Sequence, residues 1–365
     1  MELMIIRPED REITDRERFR QICDFVQQNL SANDHAEIIE TVGDFTEQLE
    51  GGCLQHRTIL FEICLGRSGI NMELCSMLRQ IRLHPGCLRY SMAGLIVDGQ
   101  QETFTKDTAR LLAVAVNDAG CWMIGRPLAE GTGSLLNYRA TAQKRGCSLM
   151  EAYQYSASDL AERLLHFKKP VSPAPEILCL HSSNYATSNT LRLWDMVKRR
   201  LDSRIYVREL SLRDGAVRDC AGCSFSTCMY YSEKSSCYYG GTIVEDVYPA
   251  LSHCNALMLL CPNYNDALGA NLTAAINRLT ALYRRKPFSD KLLFALIVSG
   301  YSGGDILEQQ IIDALNMNKS FLLPGNFALL ETAGSPHAID RVGDIDEQAT
   351  QFAQHIQNCL MKEAY

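Results

Sequence analysis

No stretch of this chain reaches the roughly 18 uninterrupted apolar residues that a membrane-spanning helix needs. No basic run offers an electrostatic footprint for nucleic acid either, since 36 Lys plus Arg stand against 43 Asp plus Glu, a net charge of -7. The opening residues, MELMIIRPEDREITDRERFR, lack the long apolar core and small-residue cleavage site of a secretory signal. No GxGxxG follows an apolar strand, so the dinucleotide-binding fingerprint is missing. The 8 histidines form no obvious triad with a serine or cysteine, which leaves hydrolysis without support. Membrane and nucleic acid are therefore not expected as partners, and the expected location is the cytoplasm. What the chain does have is cysteine. Fifteen of them with no export signal suit a reducing compartment, where thiols serve as buried hydrophobes, metal ligands or redox groups more often than as disulfides.

With 365 residues, 46% of them hydrophobic, the chain can bury two ordinary cores. The break between them falls in HFKKPVSPAPE, where Pro170, Pro173 and Pro175 forbid a continuing helix and interrupt any sheet ladder. This predicts a first α/β domain over residues 1–168, a Pro-rich linker over 169–175 and a second domain over 176–365. In the second domain, apolar runs at 177–180, 205–210, 256–260, 291–298 and 327–331 read as strands. Segments with helical apolar spacing at 191–201, 244–251, 270–282 and 306–315 separate them. Strands alternating with helices call for a parallel sheet covered on both faces, and five such strands suit a doubly wound fold.

The first half carries an echo of the second. His56 to Leu65 followed by GRSGINMELCSMLRQI is similar to Glu176 to Leu180 with its loop and helix. AGLIVDGQQETFTKDTARLLAVAVNDAG parallels NALMLLCPNYNDALGANLTAAINRLTAL in the same way. An internal duplication is the expectation, against the alternative that all βαβ units look alike. Residues 1–50 read as two charged amphipathic helices near 17–30 and 35–49. The glycine-rich GRPLAEGTGSLLNY, residues 125–138, reads as a connection, and GRSGIN, residues 66–71, as a turn able to meet an anion. The polar loops of the second half have no full equivalents, so the first domain is expected to be a degenerate copy used for packing.

In a parallel sheet, ligands collect outside the carboxyl ends of the strands where the strand order reverses. Three loops of the second domain belong there. HSSNYATSNT, residues 181–190, offers Ser182, Ser183, Thr187, Ser188, Asn189 and Thr190 and then enters a helix, whose exposed N–H groups favour an anion. An ordinary serine-rich turn capped by Ser188 or Asn189 would read the same. CPNYNDALGAN, residues 261–271, and SGYSGGD, residues 299–305, follow the next two buried strands.

Together the three loops resemble those of the NAD(P)H-dependent FMN reductase and multimeric flavodoxin family, over about residues 176–335. The first is similar to GSPRxxGNT: Ser183, Ser188, Asn189 and Thr190 occupy the places of the first serine, the second glycine, the asparagine and the threonine. Ser182 and Ser188 replace glycines, and Tyr185 replaces a basic residue. The second resembles SPVYFGSVSAQLK, matching at Pro262 and Tyr264, with Cys261 for the serine, Asn271 where an amide is common and Arg278 where the family often has DR. The third resembles TGGSRGGG. The resemblance implies a flavodoxin-like doubly wound five-stranded sheet. It implies FMN held by Ser182, Ser183, Ser188, Asn189 and Thr190 at the phosphate, and by Pro262, Asn263, Tyr264, Asn265, Ser299, Gly300, Tyr301 and Gly303 around the ring. It further implies NAD(P)H as electron donor and a small-molecule or protein acceptor, with no side chain required as acid or base. A homodimer is left open.

Between the first two of these loops lies CAGCSFSTCMYYSEKSSC, which places Cys220, Cys223, Cys228 and Cys237 at spacings of x2, x4 and x8. In the related iron–sulfur flavoproteins a compact set of four holds a [4Fe–4S] cluster, and four thiolates also suit tetrahedral zinc. The wide gaps and the pairs Tyr230, Tyr231 and Tyr238, Tyr239 favour free thiols beside an aromatic wall near the flavin. The expected function is an FMN-dependent NAD(P)H oxidoreductase. The alternative is a non-catalytic electron carrier or redox sensor, with or without a metal in the cysteine loop.

Overall fold

The computed structural model describes residues 2–31, 34–213 and 217–361, so the extreme ends of both expected domains lie outside the described residues. The chain divides into two units between Lys168 and Lys169. The proline-bearing segment belongs to the second unit, where Lys169 Nζ donates to the Asn358 carbonyl at 3.0 Å and the Ser172 amide donates to that of Leu360 at 3.0 Å.

Each unit is built on a five-stranded sheet. The strands of the first are β1 (Glu2–Ile6), β2 (His35–Ile39), β3 (Thr58–Leu65), β4 (Met92–Gly99) and β5 (Trp122–Gly131). Those of the second are β6 (Glu176–His181), β7 (Tyr206–Ser211), β8 (Ala256–Asn263), β9 (Leu292–Ser299) and β10 (Ala328–Thr332). The orders are β2-β1-β3-β4-β5 and β7-β6-β8-β9-β10, and every pairing between named strands is parallel. Both are the flavodoxin order, second-first-third-fourth-fifth, whose reversal point lies between the first and third strands. Two sheets of one topology in one chain are what a duplicated domain leaves. Central strands are apolar along their whole length because helices cover both faces: Leu257 to Cys261 and Leu293 to Ile297 are all buried. The covering helices meet the sheets with apolar stripes at three- and four-residue steps, such as Leu272, Ala275, Ile276, Leu279 and Leu282 in Ala270–Arg285.

The duplication holds at the level of topology, but the expected alignment is shifted. His56 to Leu65 contains β3, the third strand of its sheet, whereas Glu176 to Leu180 lies in β6, the first strand. AGLIVDG is the fourth strand and NALMLLC the third. The shift follows from residues 1–50. Helix Glu17–Gln28 is where the periodicity predicts one, but β1 precedes it, and residues 35–49 hold β2 and then helix Val42–Glu50. β2 is an edge strand with four of its five residues exposed, so it lacks the apolar run by which a strand is recognised. The glycine-rich segment 125–138 is likewise not a plain connection, since Gly125 to Gly131 belong to β5. That strand lies at the edge of its sheet, where Pro127 is tolerated.

Candidate active site

At the carboxyl edge of the second sheet the three loops come together. The first is shaped from its own residues. Asn184 Oδ1 accepts the Ala186 amide at 3.0 Å, closing a local turn, and Ser188 caps helix Asn189–Lys198 by accepting the Leu191 amide at 3.2 Å. Asn189 donates from Nδ2 to the carbonyls of Ala333 and Ser335, both at 2.8 Å, tying this loop to the one after β10. Ser188 and Asn189 thus hold the loop in shape. Thr190 is buried behind them.

Ser183 differs from its neighbours. It is 3% exposed, and its hydroxyl oxygen is buried with no hydrogen-bond partner. A buried hydroxyl left without a partner costs on the order of 1–3 kcal/mol, so such a group at a helix entrance is best explained by a ligand that completes it. A phosphate monoester fits: it brings acceptor oxygens to Ser183 and to the free amides of the helix start, and the positive end of the helix dipole replaces the absent Lys or Arg.

The second and third loops are knitted by Asn263. Its Nδ2 faces Ser299 Oγ at 3.1 Å and donates to the Ser302 carbonyl at 2.9 Å, and its Oδ1 accepts the Asp266 amide at 2.9 Å. Asn265 and Asp266 sit in the left-handed region at φ 57° and 55°, which turns the chain sharply under Tyr264. Gly303, at φ 83°, is required by the same packing, because a Cβ there would overlap the Asp266 carboxylate. Gly269 brings the second loop against the first, with room for a Cβ only 3.3 Å from Ser182 Oγ. Three tyrosines stand out from the three loops: Tyr185 (67% exposed), Tyr264 (64%) and Tyr301 (92%). Large aromatic faces held in solvent around a polar floor suit a flat heteroaromatic ligand.

The cysteine loop lies elsewhere. After β7 the chain runs along helix Ala270–Arg285 in the same direction as that helix. Leu212 meets Asn271, Asp219 meets Asn277, Ser232 meets Ala281 and Ser235 meets Arg285. Cys220, Cys223, Cys228 and Cys237 line a cavity of about 210 Å³ with Tyr231, Tyr238, Tyr239 and Arg278. At 1.5 Å per residue, Asn277 and Arg278 stand roughly 10 Å along the helix axis from the end that faces the three loops. The expected aromatic wall exists as a chain of edge-to-face contacts from Tyr230 through Tyr231 and Tyr238 to Tyr239, with centroids 5.2–5.7 Å apart. It borders the thiols, displaced along the helix from the loops. Part of the loop is a helix, Phe225–Glu233, capped by Ser224. Among the described residues no group of three or more His, Cys, Asp or Glu is placed to hold a metal ion.

At the matching edge of the first sheet, an arginine takes the space between the loops. Arg18 donates from Nε and Nη2 to the two oxygens of Asp98 at 2.9 and 3.1 Å. It also donates to the carbonyls of Gly99 at 2.7 Å, Thr132 at 2.9 Å and Gly133 at 3.0 Å. All five guanidinium N–H groups are used. Burial pushes the Asp98 carboxyl above its usual range, with Arg18 opposing. The polar cavity beside it, about 320 Å³, is lined mainly by charged and amide side chains, among them Asp15, Arg16, Arg67 and Gln100, with no serine in its lining.

A doubly wound sheet of flavodoxin order, with a partnerless buried serine at its reversal point and aromatic rims above, defines a flavin-binding α/β module. Residues 175–334 match the family model described as NADPH-dependent FMN reductase, and the second domain belongs to that family. The domain is therefore an FMN-dependent oxidoreductase that takes its electrons from reduced nicotinamide. No curated protein sequence matches the chain. Similar solved structures include an NAD(P)H:quinone oxidoreductase from Methanothermobacter marburgensis, at 13% identity and TM-score 0.38, covering 50% of this chain and 94% of that one. An FMN-dependent NADH-azoreductase from Bacillus anthracis, in complex with FMN, is similar at 8% identity and TM-score 0.34, covering 50% and 100%. Smu.1420 from Streptococcus mutans is similar at 15% identity and TM-score 0.35, covering 50% and 99%.

Proposed function

We propose that the second domain holds one FMN across the three loops and passes electrons from NAD(P)H to a small oxidised acceptor, such as a quinone or an azo compound. When bound, FMN supplies the redox chemistry, accepting a hydride from the nicotinamide and giving its electrons to the acceptor. The chain's own residues bind, orient and shield. Ser182, Ser183 and Thr190, with the amides entering helix Asn189–Lys198, hold the phosphate, while Ser188 and Asn189 keep that loop folded. Asn263 clamps the loops carrying Pro262, Asn265, Ser299, Gly300 and Gly303, whose backbone reaches the ring's polar edge. Tyr264 and Tyr301 border the ring and leave one face open to donor and acceptor. No side chain acts as acid or base. The observation that carries this reading is the buried, partnerless hydroxyl of Ser183 at the switch point.

The rival, an electron carrier without catalysis, would accept electrons only from a protein partner. Steady-state oxidation of NADPH and NADH by purified, FMN-loaded protein separates the two. Turnover with a quinone or azo dye as acceptor is the expected result, and a flavin that neither nucleotide reduces would refute the enzyme.

A further inference from the structure

His181, the last residue of β6, is fully buried, yet both of its ring nitrogens are engaged by the first loop. The amide of Ser183 donates to Nδ1 at 3.4 Å, and the Tyr185 hydroxyl pairs with Nε2 at 3.2 Å, the two rings meeting edge to face at 5.3 Å. A backbone amide can only donate, so Nδ1 must be bare. The proton of the neutral ring then sits on Nε2, and the hydroxyl oxygen of Tyr185 accepts it. A second proton would set an Nδ1–H against the Ser183 N–H, donor against donor, inside the fold. We propose that His181 is a positioning residue of the phosphate loop, whose neutral Nε2–H form holds Ser183 and Tyr185 in place, so that protonating this ring releases the cofactor.

The surroundings favour the neutral ring. Burial lowers the affinity of His181 for a proton, opposed by Glu209 on β7. Glu209 is itself engaged by Lys198 Nζ at 2.6 Å and Trp194 Nε1 at 2.8 Å, both from helix Asn189–Lys198. On the other side, β8 is apolar from Ala256 to Leu260, and burial keeps the Cys261 thiol protonated. The loop itself carries no Asp, Glu, Lys or Arg. Among the described residues Glu209 is thus the one carboxylate acting on the ring, and its charge is already shared with Lys198. His181 supplies what the loop lacks elsewhere, an acceptor that fixes the Ser183 amide while leaving its hydroxyl free.

This inference rests on the placement of the FMN phosphate proposed above, and the test separates the two. FMN is titrated into the full-length apoprotein from pH 8 to pH 5 for wild type, His181→Asn and His181→Leu. The second ionisation of the phosphate, near pH 6, affects all three alike and cancels in a ratio. Asn keeps an acceptor near the place of Nδ1 and does not titrate, whereas Leu removes it. The ratio of the wild-type Kd to that of His181→Asn should be near one at pH 8. It should rise as pH falls below the ordinary imidazole range toward 5, by at most about tenfold per pH unit, because burial lowers the proton affinity of the folded ring. His181→Leu should bind weakly throughout. A flat ratio with tight binding overturns the role of His181 and leaves the flavin site standing, as does a His181→Asn protein as weak as His181→Leu at pH 8. Failure of wild type to bind FMN at pH 8 overturns the site and the inference together. The imidazole nitrogen shifts of wild type at pH 8 give a second reading that needs no variant: a bare Nδ1 is expected, and a protonated Nδ1 refutes the assignment.

Discussion

The serines and asparagines of the first loop divide into those that build it and one that waits for a ligand. The Ser188 hydroxyl oxygen accepts a helix amide and Asn189 donates twice to carbonyls of another loop, whereas the Ser183 hydroxyl has no partner within the protein. Ser183→Ala should therefore leave the thermal unfolding midpoint of the apoprotein unchanged or slightly raised, because it deletes an unsatisfied buried group. It should weaken FMN binding by about 1.5–3 kcal/mol, the range for a hydrogen bond to a charged oxygen. Asn189→Ala should do the reverse. It strands the carbonyls of Ala333 and Ser335 and should cost about 1–3 kcal/mol of stability in a denaturant melt before affinity is considered. Sequence similarity alone assigns both residues to the phosphate. Only their partners separate the two roles, since Asn189 is bonded across 144 residues of chain to Ala333.

At the scale of elements, the two sheet edges show one scaffold completed in two ways. In the first unit Arg18 bridges the ends of β4 and β5 through Asp98, Gly99, Thr132 and Gly133. Arg18→Ala would leave the buried Asp98 without its partner and should cost about 3 kcal/mol in stability at pH 8. The sign of the pH dependence follows from the raised Asp98 carboxyl. An acid whose folded form holds its proton more tightly destabilises the fold as pH rises, and losing Arg18 strengthens that effect. The loss should therefore shrink toward pH 4, which denaturant melts at the two pH values would read. The cysteine loop is the other element to test. Cys220, Cys223, Cys228 and Cys237 share a cavity with Tyr231, Tyr238 and Tyr239, about 10 Å along the helix from the flavin loops, which favours a packed thiol pocket over a centre in direct contact with the ring. Protein purified without oxygen should carry less than stoichiometric iron, acid-labile sulfide and zinc. Stoichiometric iron and sulfide would make the loop a cluster site, and stoichiometric zinc a structural one.

For the whole molecule, two sheets have the same strand order, and the three loops proposed to hold FMN belong to the second alone. FMN released from saturated protein should equal one per chain, and a ratio near two would show that the cavity beside Arg18 also accepts flavin. Acid stability is also a property of the whole chain. His355 is half-buried, its ring packed against Phe294 and Phe352, and desolvation, aided by Lys169, pushes its pKa down to about 4. Unfolding frees it to protonate at its ordinary value, so the stabilisation is present above about pH 6.5 and is lost as pH falls toward 4, at up to roughly 1.4 kcal/mol per pH unit. His355→Phe should flatten the slope of unfolding free energy in that window. The slope that remains belongs in part to His181.

The apolar runs determined the second sheet and the order in which its strands and helices follow one another, because a strand buried on both faces must be apolar along its length. The Pro-rich segment lies just after the division between the units, and the polar loops behind β6, β8 and β9 are the ones the structure gathers at one sheet edge, where loops are polar although the strands beneath are not. The edge strands β2 and β5 could not be recognised in the same way. One lies in solvent and the other contains glycine and proline, so neither has the pattern that burial imposes. What the tertiary structure alone decided is which polar groups are spent and which are free. It engaged Asn189 and Asn263 in joining loops, bridged the ends of β4 and β5 in the first unit with Arg18, drew the four cysteines along a helix away from the three polar loops, and left the Ser183 hydroxyl without a partner close to the buried His181. Those outcomes depend on pairings between residues far apart in the chain, which local composition does not encode.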